Sequence, residues 1–121
     1  ADAVADAGLT FIGPPPDAIR TMADKQAAKR AAEAAGLPTL PGSSAVPDPD
    51  AAARAAHDLG YPVMLKAAAG GGGKAMRVAR NPKQLRQAFP LCRAEAQRFF
   101  ADPTLLLEKF IEDARHIEVQ I

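Results

Sequence analysis

The chain has 121 residues, 48% of them hydrophobic and 24% charged, the balance of an ordinary globular protein of one domain or part of one. Its 15 basic and 14 acidic residues leave a net charge of +1, which argues against a general nucleic-acid or polyanion-binding role. A single cysteine, Cys92, excludes an intrachain disulfide framework and a cysteine-cluster zinc site, and no apolar run approaches the ~20 residues of a membrane-spanning helix.

Residues 8–13 predict a short strand leaving a turn, and Pro14, Pro15 and Pro16 suit the start of a helix over residues 17–22. Asp24 is placed to cap a second helix, residues 25–35, with Gly36 at the position that favours a left-handed backbone and Pro38 beyond it. Residues 41–49 read as a loop and 50–59 as a helix ended by Gly60. A strand over 61–67, a run of four glycines at 70–73 and a strand over 75–79 form a hairpin pattern. A helix over 82–100 follows, with Asn81 as cap and Pro90 expected to kink or split it. Strands over 105–110 and 115–121 complete the pattern. A start on Ala1 and an end inside an alternating strand pattern predict a piece of a longer polypeptide. His57, on an alanine-rich helix, reads as a surface residue, and Cys92 as a packed or half-exposed thiol without a catalytic role.

The four glycines carry the most information. Without Cβ atoms the backbone can take positive φ and approach a ligand closely, and successive N–H groups can then line a concave site for phosphate oxygens. Lys66 precedes the run and Lys74 follows it. The plain alternative is a hairpin loop with solvated lysines, and the glycines alone leave both open. A Walker A loop fails because Ala68 stands at its first glycine and Ala75 follows Lys74. A dinucleotide fingerprint must open a helix, whereas Met76-Arg77-Val78 continues as a strand. A kinase loop precedes its lysine-bearing strand, and here the order is reversed.

What remains, a glycine-rich hairpin with one lysine before it and one within it, resembles the ATP-grasp fold, and in detail the biotin carboxylases. The resemblance runs through six motifs in order: Phe11-Ile12-Gly13-Pro14, Asp24-Lys25, Tyr61-Pro62-Val63-Met64-Leu65-Lys66-Ala67, Gly70 to Met76, Leu107-Glu108-Lys109-Phe110, and Arg115-His116-Ile117-Glu118-Val119-Gln120. It implies an α/β (α+β) chain that is a fragment of an ATP-grasp fold. Residues 1–40 would end the N-terminal subdomain with its linker helix. Residues 41–110 would form the glycine-rich lid subdomain, and 111–121 would begin the C-terminal subdomain.

The resemblance also implies roles. Lys25 would sit near the nucleotide phosphates, Lys66 would reach ATP from the sheet side of the lid, Gly71, Gly72 and Gly73 would close over the phosphates, and Met76 would border the pocket. Glu108, Lys109, Phe110 and Ile111 would form the hinge that holds adenine, with His116 near the ribose and adenine side. Glu118 and Gln120 share a face with His116 but are given no chemistry. The implied reaction uses ATP with Mg²⁺ or Mn²⁺ and bicarbonate to carboxylate biotin on a carrier domain by way of carboxyphosphate. A carboxyltransferase component and a homo-oligomeric parent enzyme are expected, in the cytoplasm or, in a eukaryote, the mitochondrial matrix. No catalytic residue and no metal ligand is expected among these 121 residues. Another ATP-grasp ligase of the carbamoyl-phosphate synthetase kind, or a non-catalytic nucleotide-binding module, is the alternative. Three departures stand out: Ala75 where the pattern has glycine, Ala114 where proline is common, and Pro90 inside the lid helix.

Overall fold

In the computed structural model, which describes residues 1–69 and 72–117, the chain divides into two units, Ala1–Thr39 and Leu40–Ile121. The first unit is helical: α1 (Asp2–Asp6), α2 (Pro16–Ala23) and α3 (Lys25–Ala34). Asp24 caps α3 as expected, its carboxylate accepting from Ala27 N at 2.6 Å. Gly36, at φ +75°, ends that helix with Leu37 N donating back to Ala32 O at 3.0 Å, a left-handed stop that favours glycine.

The strand expected over residues 8–13 is absent. Gly8, at φ +69°, instead closes α1, and Leu9 N returns to Val4 O at 3.0 Å. A strand needs a neighbour to satisfy its backbone groups, and the first unit has only helices as regular elements. Ile12 is left 96% exposed. The short helix α1 was not foreseen.

The second unit is a three-stranded antiparallel sheet with two helices on one face. Strand β1 (Val63–Ala67) lies in the middle, between β2 (Met76–Ala79) and β3 (Leu105–Lys109). Helices α4 (Pro49–Leu59) and α5 (Pro82–Phe100) pack against it. Asp48 caps α4 by accepting from Asp50 N and Ala51 N, and Asn81 caps α5 by accepting from Gln84 N at 2.9 Å. Every second residue of β1 (Val63, Leu65, Ala67) faces the helices, as strand pleating requires. These residues pack with Leu105, Leu107 and Ala79 against Leu85, Phe89, Cys92 and Ala96 of α5 and Ala52 and Ala56 of α4. Burying each large side chain stabilises the unit by about 1.5–3 kcal/mol, and the alanines let α4 lie close to the sheet.

Helix α5 runs unbroken past Pro90 rather than splitting there. Pro90 and Arg86, whose carbonyl would have received the missing hydrogen bond, both lie on the exposed side of α5, where water can serve that carbonyl. The outer edge of β3 is covered by residues 41–46. Ser43 N donates to Leu107 O at 2.8 Å, Lys109 N to Pro41 O at 2.9 Å and Val46 N to Leu105 O at 2.8 Å, which closes an edge otherwise open to pairing. Residues 115–117, where the final strand was expected to begin, are not in a strand; the rest of that segment, with Glu118 and Gln120, lies outside the described residues.

Candidate functional site

The strand register that sends Val63, Leu65 and Ala67 toward the helices sends their neighbours to the opposite face. There Lys66 stands across from Met76 on one side and Leu106 on the other, and Met64 across from Val78 and Glu108. Lys66 Nζ donates to Glu108 Oε2 at 2.5 Å, a diagonal pair between neighbouring strands. The two side chains are only 17% and 26% exposed. Leu106 is 1% exposed although it is no member of the helix-side core. The face opposite α4 and α5 is therefore half-buried and apolar, with one charge-assisted pair at its centre. Three of the expected site residues, Lys66, Met76 and Glu108, meet on it.

The glycine run lies between β1 and β2 in the sequence. Gly72 and Gly73 take φ of +70° and +74°, and a Cβ at either position would meet nothing within 4 Å. The conformation, not the space, calls for glycine there. Gly71 lies outside the described residues. Ala75 also takes positive φ, +52°, where the sequence pattern would have had glycine. Its methyl is buried in the core, and its carbonyl accepts from Ala67 N at 3.1 Å, so the root of the hairpin is closed by a packed residue. Lys74, between Gly73 and Ala75, places its ammonium 4.9 Å from the Phe99 ring centroid at the end of α5.

The expected hinge is β3 and its exit. Glu108 lies on the face opposite α4 and α5, but Lys109, one residue on, points the other way. Its Nζ donates to Gly60 O at 2.7 Å and Tyr61 O at 3.2 Å, where α4 ends, so its side chain holds the helix terminus. Its N–H is taken by Pro41 O, and Pro41 has no N–H to return to the Lys109 carbonyl. Phe110 N donates to Pro62 O at 3.1 Å. Ile111 is half exposed and His116 exposed. Lys25, the first residue of α3, belongs to the other unit.

A second polar cluster on the helix side is structural. Arg77 makes a two-pronged contact with Glu95, at 2.9 and 2.7 Å, and reaches Cys92 Sγ at 3.4 Å. The hydrogen bonds from Arg77 lower the Glu95 pKa below the usual carboxylate range. Burial raises the Cys92 thiol above its ordinary value, away from the thiolate a nucleophile needs. Among the described residues no three His, Cys, Asp or Glu side chains group to hold a metal ion, and no helix is long and apolar enough to cross a membrane.

Sequence reasoning missed the Lys66–Glu108 pair, because its partners are 42 residues apart and only the register joins them. It also missed Phe99, whose place three residues after Ala96 reads as a continuation of the apolar stripe of α5.

Residues 24–121 match the family model "Carbamoyl-phosphate synthase L chain, ATP binding domain". The chain is 49% identical over 122 aligned positions to a biotin carboxylase of Halalkalibacterium halodurans, covering all of this chain and 27% of that protein. It is 43% identical to the propionyl-CoA carboxylase alpha chain of Ruegeria pomeroyi, covering all of this chain and 18% of the other. It superimposes with a TM-score of 0.83, at 43% identity, on the biotin carboxylase domain of 2-oxoglutarate carboxylase from Hydrogenobacter thermophilus, covering 93% of this chain and 25% of that one. That domain was crystallised as a dimer with MgADP, ADP and bicarbonate. The chain thus spans about a quarter or less of the length of these relatives.

Proposed function

The chain belongs to the carbamoyl-phosphate synthase L chain ATP-binding domain family and has the α/β, ATP-grasp fragment fold expected from its sequence, and on that premise we propose that it is the ATP-binding part of a biotin carboxylase. The parent enzyme would use MgATP and bicarbonate to carboxylate biotin on a carrier domain. The observation that carries the reading is the face of the sheet opposite α4 and α5. It offers an apolar floor of Met64, Met76 and Val78 beside the buried Leu106, a cation at Lys66, and a turn of positive-φ glycines at its rim. A nucleotide needs those three things: an apolar surface for the base, positive charge for the phosphates, and backbone N–H groups free to approach them.

In this reading Lys66 and Lys25 meet the phosphates, Gly71, Gly72 and Gly73 lie over them, and Met76 borders the base. The backbone of Glu108 to Ile111 holds the adenine edge, and the Lys109 carbonyl, across from a proline, has a lone pair for it. The Lys109 side chain takes no part. His116 stands on the ribose side. Residues 1–40 would end the N-terminal subdomain, 41–110 form the lid subdomain and 111–121 begin the C-terminal one. Mg²⁺ would arrive with the nucleotide and neutralise phosphate charge, held by residues other than those described. The carrier domain, a carboxyltransferase component and a second copy of the enzyme are the expected partners, in the cytoplasm or mitochondrial matrix. Calorimetric titration of the full-length protein with ATP and with GTP tests the reading: it predicts saturable binding that prefers adenine, and no binding of either nucleotide would overturn it.

A further inference from the structure

Phe99 is nearly half exposed at the end of α5, outside the buried core. Two cations address its ring: Lys74 Nζ at 4.9 Å from the centroid and the Arg98 guanidinium at 5.6 Å. Both distances fall within the reach of a cation–π attraction. Lys74 is the residue between the last glycine of the turn, at φ +74°, and Ala75, whose methyl is buried. Its side chain therefore ties the last turn residue to a helix that is itself fixed in the core through Phe89, Cys92 and Ala96.

We infer that Phe99 is a positioning residue for the glycine turn: acting through Lys74, it holds the C-terminal root of the turn against α5 and so sets where Gly72 and Gly73 present their N–H groups. The inference rests on the nucleotide-binding reading for its consequence, but the contact itself does not. Arg98 limits the strength of the hold, because a second positive charge at the same ring repels Lys74. One exposed cation–π contact of this kind makes a difference of about two- to fivefold in a local equilibrium, enough to tune a turn without locking it.

The test is a double-mutant cycle in the full-length protein, with Phe99→Leu, Lys74→Met and both together. Two readouts are taken: hydrogen exchange at the Ala67 amide, which bonds to Ala75 O at the root of the hairpin, and the kinetics of ATP use. In the nucleotide-free protein each single variant should speed Ala67 exchange about two- to fivefold, and the double variant no more than either single one. Phe99→Trp, which keeps a π face, should restore the wild-type rate. The KM for ATP should rise in step with exchange while kcat holds. Exchange unchanged in Phe99→Leu, or effects of the two single variants that multiply in the double, would overturn the inference. Wild-type protein that fails to use ATP would sink the nucleotide-binding reading instead, and the exchange cycle would still decide whether Phe99 acts through Lys74.

Discussion

Lys66 and Glu108 form a 2.5 Å ion pair across neighbouring strands, on the face of the sheet opposite α4 and α5. Both side chains are mostly withdrawn from water, so the pair differs from a solvent-screened surface bridge. Each partner offsets much of the other's desolvation, and removing one leaves an uncompensated charge on an apolar floor. The pair therefore holds a lysine in place where a phosphate would need it.

Glu108→Gln tests that relationship. It keeps the size and one acceptor but removes the counter-charge. Folding stability should fall by about 1–3 kcal/mol, seen as a lower urea midpoint with an unchanged slope. A midpoint equal to wild type would mean the pair is as weak as an exposed one.

Ala75 is held at φ +52° with its methyl buried. Ala75→Gly should relieve about 1 kcal/mol of left-handed strain while losing about 0.8 kcal/mol of methyl burial. Stability should stay within about 1 kcal/mol of wild type by these opposing terms, and ATP turnover in the full-length enzyme should be equal or better. Ala75→Val adds a β-branched side chain to the same backbone and should cost more than either effect alone. A large loss of activity in the glycine variant would refute this balance.

Lys109→Met separates the hinge backbone from the hinge side chain. The carbonyls of Gly60 and Tyr61 lose a charged donor, so stability should fall by about 1.5–3 kcal/mol. ATP affinity should stay within about twofold of wild type, since the lost group faces the helices and a twofold change is well under one hydrogen bond. A tenfold loss of affinity with little loss of stability would place the side chain in the site.

The 121-residue chain by itself should show no bicarbonate-stimulated ATP hydrolysis in a phosphate-release assay. Phosphoryl transfer depends on positioning and charge neutralisation together, and a lysine, a turn and a hinge supply only part of both. Bicarbonate-dependent turnover above a blank would mean that the full machinery lies within these residues.

Much of this was legible in the sequence where local chemistry decides it. Asp24 and Asn81 are caps because carboxylate and amide oxygens reach N–H groups three residues on, and the strand over 61–67 was legible as a strand, although its three consecutive apolar residues did not say which face turns to the helices. The strand assigned to residues 8–13 failed because its apolar run has no partner strand within its own unit. A split at Pro90 failed because that side of the helix faces water. The glycine run pointed to the turn but not to Ala75 as its buried anchor. Individual site residues appeared by motif, yet the side chain of Lys109 and the pairing of Lys66 with Glu108 depend on strand register, which no local pattern encodes.

The most direct measurement is the ATP affinity of the full-length protein with Lys66→Ala, taken by titration alongside circular dichroism. Loss of a charge-assisted phosphate contact is worth roughly 1.5–3 kcal/mol, so binding should weaken about 10- to 100-fold while the fold is retained. Unchanged affinity in a folded variant would contradict the account, because the face opposite α4 and α5 would then hold a structural ion pair and not a nucleotide.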